Sequence, residues 1–307
     1  MSTLSQKIGV LKKDPKLPLK LLLNKVAPYL PDELFLRISF FIKMGRPLRL
    51  SNPQTYNEKL QWLKLYYRKP EFSQMVDKYD AKPYVASIIG ENHIIPTIGI
   101  YNSVEDIPWA ELPDKFVLKC THDSGGIVIC QDKTKLNVEE AKKKLVKGLK
   151  KSYYYRNREW PYKNVVPRII CEEYMVDESG YELKDYKWFC FDGEVKALFI
   201  ATDRGNKNEE TKFDFYDAEF NHLPFTNGHP NSTKEIKKPM GFDEMKEIAA
   251  KLSKGLPHAR IDLYDINGHI YFGEITFFHW SGTMPFQPEE WDYKFGSWIK
   301  LPNKITI

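Results

Sequence analysis

The segment 260–278, RIDLYDINGHIYFGEITFF, constrains the fold more than any other part of the sequence. Apolar and polar residues alternate on both sides of Asn267-Gly268, and this dipeptide between two such runs is a strong sequence signal for a β-hairpin. Each predicted strand carries one carboxylate, Asp262 and Glu274, among apolar neighbours. Because burying an unpaired charge is costly, both acids need partners. The hairpin therefore predicts either a structural ion-pair network or a cation site.

The pairing register decides whether the two carboxylates meet. A two-residue turn would place Asp262 opposite Gly273 and turn Glu274 to the other face. A three-residue loop with a bulge would pair Asp262 with Glu274, and Arg260 with Thr276. We expect such an odd loop, because Mg²⁺ commonly binds one or two carboxylates on a shared face. Arg260 lies on that face too, where it would clamp a phosphate or stabilise developing negative charge.

Length and composition indicate a globular protein with a large core. The chain has 307 residues, of which 42% are hydrophobic, and two domains are the natural expectation. No apolar run reaches the roughly 18–20 residues of a membrane span, and no secretory signal stands at the start. The four cysteines lie in apolar strand-like runs without zinc-site spacing. We therefore expect a cytoplasmic protein.

The positive charge is concentrated at the start of the chain. Residues 1–27 hold six lysines and one aspartate, and elsewhere basic and acidic residues are equal in number. An electrically neutral body disfavours nucleic acid as a partner. The stretch LPLKLLLNKV fits two interpretations. It is either a helix that packs on its own domain, or a surface anchor for peripheral contact with the inner face of a membrane.

A polar loop between two predicted strands has the character of a phosphate site. FVLKC (116–120) ends just after Lys119, and the loop that follows holds Ser124, Gly125 and Gly126 before the strand IVIC. Glycines let backbone N–H groups approach phosphate oxygens, and a lysine adds a point charge. A simple turn is the alternative. Lys78 lies on a predicted helix upstream.

Several segments, in this order, resemble the ATP-grasp superfamily. They are Asp77-Lys78, VLK before DSGG, CEEYM (171–175) and RID…EIT (260–276). D-alanine–D-alanine ligases are similar in the same stretches. NEKLQWLKLY, FVLKCTHDSGG, REWPYKN, LKDYKWFCF and YFGEITF are similar to the TupA-like branch, which is associated with teichuronopeptide and other bacterial surface polysaccharides.

The resemblance implies an α+β ATP-grasp fold, in which two α+β subdomains hold ATP between antiparallel sheets after a helical N-terminal region. The N-terminal region would cover residues 1–75. Residues 76–165 would form the first subdomain, with the two lysines and the Ser-Gly-Gly loop. Residues 166–307 would form the second, with the adenine strand and the metal hairpin.

The resemblance also implies ATP and Mg²⁺ as cofactors and a set of site residues. Those implied at the nucleotide are Lys78, Lys119, Ser124, Gly125, Gly126, Glu172, Glu173, Tyr174, Met175, Glu182 and Lys187. Asp262, Glu274 and Thr276 would hold Mg²⁺, with threonine where the family usually has asparagine. From the residues alone, Glu172 and Glu173 could equally be solvent-facing strand residues.

The implied chemistry is amide formation through an acylphosphate. Arg204 would bind the acceptor carboxylate or the acylphosphate, and Arg260 the transferring phosphate or the tetrahedral intermediate. His279, Ser281 and Gly282 fall in the implied substrate loop, although His279 beside a tryptophan is also typical of a packed residue.

We therefore expect an ATP-dependent carboxylate–amine ligase of bacterial surface polysaccharide biosynthesis, joining an amino acid to a uronic acid. Its partners would be small-molecule or glycan carboxylates and amines. A glycosyltransferase is one alternative, but the spacing Asp262-Leu263-Tyr264-Asp265 does not match its usual Asp-x-Asp metal motif. A catalytically inactive nucleotide-binding protein is the other, suggested by Thr276.

Overall fold

The computed structural model describes residues 15–122, 125–177, 180, 183–203 and 209–305. The helices are α1 Leu17–Val26, α2 Asp32–Met44, α3 Tyr56–Tyr66, α4 Glu71–Val76, α5 Ala81–Ile89, α6 Val138–Leu149, α7 Tyr153–Asn157, α8 Phe242–Ser253 and α9 Glu290–Trp298. The strands are β1 Thr97–Tyr101, β2 Phe116–Cys120, β3 Ile127–Cys130, β4 Ile169–Glu173, β5 Asp185–Phe191, β6 Glu194–Thr202, β7 Lys212–Asp217, β8 His222–Leu223, β9 Thr226–Asn227, β10 Ala259–Ile266, β11 His269–Thr276 and β12 Phe286–Gln287.

The N-terminal region is helical, as its sequence predicts. Three of the described helices, α3, α6 and α7, begin at a residue whose side chain caps them, namely Thr55, Asn137 and Ser152. Thr55 and Glu58 form a capping box at the start of α3, with the Glu58 amide donating to the Thr55 hydroxyl at 3.3 Å. Among the described helices, none is both long and apolar enough to cross a membrane.

The four-stranded antiparallel sheet has the order β1-β4-β2-β3. The side chains of Leu118, Cys120 and Leu145 share a small core between this sheet and α6. The boundary predicted at residue 166 assigns β4 to the second subdomain, but β4 pairs with β1 and β2 of this sheet. The strand that carries Glu172 therefore belongs with the strand that carries Lys119.

The six-stranded antiparallel sheet has the order β11-β10-β5-β6-β7-β8. Its apolar face shares one large core with the N-terminal helices and with α8 and α9, through aromatic residues such as Trp188, Phe242 and Phe295. The α+β class with antiparallel sheets after a helical N-terminal region is confirmed.

The β10–β11 hairpin reaches the expected pairing by a route that we did not predict. Its turn has two residues, Asn267 at φ 54° and Gly268 at φ 86°, so the prediction of an odd loop was wrong. The register instead shifts within the strands, between Asp262 and Leu263. On the turn side of the shift Ile266 faces His269, and on the other side Asp262 faces Glu274.

The extra residue of this bulge is Gly273, and its lack of a side chain has a physical reason. A Cβ at this position would lie 2.9 Å from the Asp262 carbonyl oxygen and 3.1 Å from the Tyr264 ring. Glycine within a strand often marks such a close backbone approach. The bulge turns both carboxylates to one face, and the metal hypothesis therefore survives the failed loop prediction.

Candidate active site

A cavity of about 1300 Å³ lies between the two sheets. Residues of β2 and β3 form one wall, and residues of β5, β10 and β11 form the other. Charged residues from both walls line it, including Lys78, Lys119, Lys187, Asp262 and Glu274. The structure thus brings together groups that are almost 200 residues apart in sequence.

Arg260 holds the two hairpin carboxylates in place. Its Nε donates to Asp262 Oδ1 at 2.7 Å, and its Nη2 donates to Asp262 Oδ2 at 2.8 Å and to Glu274 Oε1 at 3.1 Å. Nη2 also contacts the Thr276 hydroxyl at 3.1 Å. Arg260 is only 9% exposed. These contacts indicate that Arg260 positions the two carboxylates. Contact between Arg260 and a phosphate stays a prediction.

The cations around the hairpin keep Glu274 ionised. Burial would raise the pKa of Glu274, but Lys78, Lys187 and Arg260 outweigh this effect and hold the pKa well below its usual range. Lys78 Nζ lies 3.7 Å from Glu274 Oε2, and Lys187 Nζ is paired with Asp262 Oδ2. Both acids are thus placed to act as anionic oxygen ligands.

Lys119 is held by an ion-pair triad that also includes Lys82, a residue that we did not single out from the sequence. Glu172 Oε2 lies 2.7 Å from Lys119 Nζ, and its Oε1 lies 2.5 Å from Lys82 Nζ. Burial would raise the pKa of Glu172, yet the two lysines lower it below its usual value. The Glu172 side chain thus contacts lysines, and its direct contact with adenine stays a prediction.

Lys78 lies in the turn between α4 and α5, so the prediction that it lies on a helix was wrong. Asp77 Oδ1 accepts hydrogen bonds from the Tyr79 and Asp80 amides at 2.8 and 2.9 Å, and Arg168 lies 3.2 Å from the same oxygen. The Lys78 amide donates to Thr121 O at 3.1 Å. This network fixes the lysine against the end of β2.

Part of the cavity lining is apolar. Val117 and Ile127 of the first sheet face the cavity, together with Tyr174, Met175 and Leu183 beyond β4. Apolar and aromatic side chains of this kind suit a purine ring. Glu173 and Gly126 also line the cavity.

The implied substrate loop is locked into the protein rather than open to the cavity. Arg260 Nη1 lies 2.9 Å from His279 Nδ1, and His279 Nε2 lies 3.0 Å from Asn227 Oδ1. The Ser281 hydroxyl donates to Glu159. Substrate contact by His279, Ser281 and Gly282 stays a prediction, and their observed contacts are with the protein.

The same loop has an unusual backbone. Trp280, Ser281 and Gly282 all have positive φ, at 47°, 55° and 60°, which is rare for residues with side chains. Lys64 Nζ and Gln61 Nε2 donate to the Ser281 carbonyl at 2.8 and 2.9 Å. These bonds from α3 hold the strained turn, and strain of this kind tends to occur at functional sites.

His279 should remain neutral in the folded protein. Arg260 donates to its Nδ1, so the proton must be on Nε2, which donates to Asn227. Burial, together with the positive charge of Arg260, holds the pKa of His279 well below its usual value of 6.5. Because the folded-state pKa is depressed, the stability that neutral His279 contributes is present above pH 6.5 and lost as the pH falls below it.

Long-range ¹H–¹⁵N correlation spectra of the histidine rings test this prediction. We expect a neutral Nε2–H tautomer at pH 7 that does not titrate near 6.5, and His279→Gln identifies its signal. A signal that titrates near its usual pKa would contradict the locked arrangement.

A family model decides the identity of the fold. The model of the TupA-like ATP-grasp family matches residues 58–300, which is most of the chain. The chain belongs to the TupA-like ATP-grasp family. The cofactors predicted from the sequence, ATP and Mg²⁺, are those of ATP-grasp proteins. Among curated proteins, no sequence match was found.

Solved ATP-grasp structures are similar at low identity. D-alanine–D-alanine ligase from Bacillus anthracis, complexed with ATP, is 15% identical, with 66% of this chain and 53% of that chain covered and a TM-score of 0.38. The Helicobacter pylori ligase is 13% identical, with 80% and 69% covered and a TM-score of 0.41. The ATP-grasp ligase PsnB, with a phosphomimetic precursor variant, Mg and ADP, is 12% identical, with 72% and 57% covered and a TM-score of 0.41. This chain thus spans about half the length of the first structure.

The hairpin fits the metal of ATP-grasp proteins. Asp262 and Glu274 face each other and both line the cavity, and two carboxylates supplemented by phosphate oxygens are a usual Mg²⁺ site. The part of the chain that the structure describes contains no cluster of three or more His, Cys, Asp or Glu residues with metal-site geometry. Thr276 donates its hydroxyl to Glu274 Oε1 at 3.2 Å, and its role as a third ligand stays a prediction.

Sequence reasoning missed several residues that line the cavity, notably Asp185 and Tyr264. Strand alternation could have found both. Asp185 lies two residues before Lys187 on β5, and Tyr264 lies two residues after Asp262 on β10, so each shares a face with a residue already singled out. Lys82 had no such signal, because its link to Glu172 is tertiary.

Three predicted residues lie outside the described part of the chain. They are Ser124, Glu182 and Arg204. Gly125 and Gly126 are described, and the Gly126 carbonyl accepts from the Cys120 amide at 2.8 Å, which closes the β2–β3 loop. Binding of nucleotide by this loop stays a prediction.

Glu172→Gln should weaken ATP binding by at least about tenfold, because hydrogen bonds to charged groups contribute about 1.5–3 kcal/mol and the change removes the charge that orients Lys119. Calorimetric titration with ATP measures the effect. Glu194→Gln is the matched control, since it breaks an exposed ion pair of 3.0 Å with Lys196. Unchanged or tighter binding by Glu172→Gln would show that Glu172 competes with ATP for the lysines.

Proposed function

We propose that this protein is an ATP-dependent carboxylate–amine ligase. The observation that supports it is one cavity between two sheets, lined by Lys119 and by the facing acids Asp262 and Glu274. Lys78 and Lys187 pair with these two acids. Phosphoryl transfer requires positioning and charge neutralisation more than covalent help from the protein. The cavity offers both, together with an apolar wall for the base.

The reaction would run in two steps. A carboxylate oxygen of the acceptor attacks the γ-phosphorus of ATP, the bond to the ADP oxygen breaks, and ADP leaves. An amine nitrogen then attacks the acyl carbon of the acylphosphate, phosphate leaves with its C–O bond electrons, and the nitrogen loses a proton. Asp262 and Glu274 would hold Mg²⁺, and the bound ion would neutralise negative charge on the phosphates.

The residues of the chain have separate tasks in this scheme. Lys78 and Lys119 bind phosphate oxygens, and Glu172 orients Lys119 for that purpose. Arg260 keeps Asp262 and Glu274 side by side. The two acids would thus hold Mg²⁺ at a fixed position for the phosphates. Arg204 remains our candidate for the acceptor carboxylate.

For the biological setting we propose bacterial surface polysaccharide biosynthesis, with a uronic acid as the carboxylate and an amino acid as the amine. The support is membership of the TupA-like family and the resemblance of REWPYKN and LKDYKWFCF to it. We place the reaction in the cytoplasm, because all four cysteines are free and buried, as is typical of a reducing compartment.

Product formation and intermediate trapping test the proposal. The protein is incubated with ATP, Mg²⁺, glucuronic or galacturonic acid and a pool of amino acids, and ADP, phosphate and amides are followed. Hydroxylamine in place of the amine should give a hydroxamate, which reports the acylphosphate. Omission of the acid should abolish ADP release.

Two outcomes would contradict the proposed ligase function and favour one of the alternatives. Consumption of a nucleotide sugar without ATP turnover would establish a glycosyltransferase. ATP binding without turnover on any acceptor pair would indicate an inactive nucleotide-binding protein.

A further inference from the structure

Helix α1 presents an apolar stripe to solvent. Leu19, Leu22 and Val26 follow the i, i+3, i+7 spacing of one helix face, and they are 54%, 60% and 37% exposed. Leu23 is the buried residue of this helix, at 7% exposure. A surface helix normally turns its apolar stripe towards the core. The interpretation that LPLKLLLNKV simply packs on its own domain therefore accounts for Leu23 but not for the stripe.

Helix α2, which contacts α1, has a second exposed stripe. Leu34, Ile38 and Phe41 are spaced i, i+4, i+7 and are 46%, 37% and 57% exposed. We define the six residues of the two stripes as the N-terminal surface. Exposed apolar surfaces of neighbouring elements usually mark an interaction site.

The charge beside these stripes identifies the partner. Beside the α1 stripe, residues 15–31 hold Lys16, Lys20 and Lys25 and no acidic residue. Beside the α2 stripe, the exposed Glu33 is paired with Arg37 at 2.8 Å. Tyr29, at the end of α1, is 86% exposed, and tyrosine is favoured at the boundary between lipid and water. We propose that the N-terminal surface docks on an anionic phospholipid bilayer, with its apolar side chains in the interface and its lysines at lipid phosphates.

The same charge argues against the other occupants of this surface. In a symmetric dimer through α1, the lysines of two copies would face each other, and like charges at an interface are unfavourable. Residues 1–14 would not neutralise the lysines either, since their sequence adds three lysines and one aspartate. An anionic lipid surface complements both the charge and the apolar stripes.

The position of α2 relates this surface to the strained turn 280–282. Lys43 lies about half a turn around α2 from the stripe, and its Nζ is 3.4 Å from the Thr283 hydroxyl. Thr283 directly follows the strained turn 280–282. The docking surface is therefore separated from that loop by about one helix diameter, roughly 10 Å.

Vesicle co-sedimentation with the full chain and no ATP tests the proposal independently of the proposed reaction. We expect binding to vesicles of phosphatidylcholine and phosphatidylglycerol in equal parts, and little binding to pure phosphatidylcholine. Rising salt should weaken it, because salt screens surface charge. Lys16→Gln with Lys25→Gln should lower the partition coefficient about thirtyfold, since each lysine near the surface contributes about 1 kcal/mol.

Matched variants separate the contributions. Leu22→Ser with Phe41→Ser should reduce binding at least about tenfold through lost apolar contact, with an unchanged melting temperature because both side chains are exposed. Lys143→Gln with Lys144→Gln makes the same charge change on exposed positions of α6 and should leave binding unchanged. Equal binding to both vesicle types, no binding at all, or a dimer in solution that Leu22→Ser dissociates would each overturn the proposal.

Discussion

Asp262→Asn should lower ATP turnover at least about 100-fold, because a metal ligand supports several kcal/mol of charge stabilisation in phosphoryl transfer. Asp262 is 1% exposed and accepts from Arg260 through both oxygens and from Lys187. An amide would remove one counter-charge from Arg260 and Lys187, which would keep Glu274 and Asp185 as their remaining acidic partners. We therefore also expect a loss of about 1–3 kcal/mol in the free energy of unfolding. Phosphate release and urea unfolding measure the two effects.

Asp292→Asn is the control that separates stability from chemistry. Asp292 is also 1% exposed, and it accepts from the Asn57 amide at 2.9 Å and from Arg46 at 3.3 Å. It does not line the cavity. We expect this variant to lose stability and keep its turnover under conditions in which it is folded. Full turnover by folded Asp262→Asn would remove this acid from the proposed metal site.

Gly273→Ala should disrupt the site through the backbone alone. The new Cβ would meet the Asp262 carbonyl oxygen at 2.9 Å, and overpacking of this kind typically costs about 1–3 kcal/mol. The strand can relieve the contact by moving Asp262 away from Glu274. Turnover should then fall about 10–100-fold, the range seen when the support of a metal ligand is lost.

Gly268→Ala is the matched control in the same hairpin. Gly268 has a φ of 86°, and its Cβ would meet only the Met240 methyl group, at 3.8 Å. The change should cost about 1–2 kcal/mol of left-handed strain and leave the Asp262–Glu274 pair in register. Equal turnover by the two alanine variants would mean that the bulge does not position the acids.

The hairpin shows how far sequence reasoning reaches. The Asn267-Gly268 turn, the two strands and the shared face of Arg260 and Asp262 follow from local rules, because turn chemistry and the two-residue period need only neighbouring residues. The bulge does not follow from local rules, because a glycine inside a strand is also compatible with regular pairing. The expected pairing was therefore correct, and its expected cause was wrong.

The lysines show the same division. Lys119 was found because it ends a strand before a glycine-bearing loop, which is a local signal. Its fixation by Glu172 and Lys82 depends on β4 lying beside β2 and on Lys82 of α5 lying within ion-pair distance of Glu172. Those contacts join segments that are far apart in the chain, and no spacing in the sequence predicts them.

The sequence by itself determined the hairpin, the capped helices and the acids and lysines available for chemistry, because these depend on interactions within a few residues. Only the tertiary structure decided that Gly273 shifts the register, that His279 is sealed between Arg260 and Asn227, and that the apolar stripes of α1 and α2 face outwards. The reason is that the packing of distant segments sets which residues are buried and which residues pair. A side-chain pattern in the sequence shows which face of a helix or strand is apolar, but not which segment packs against that face.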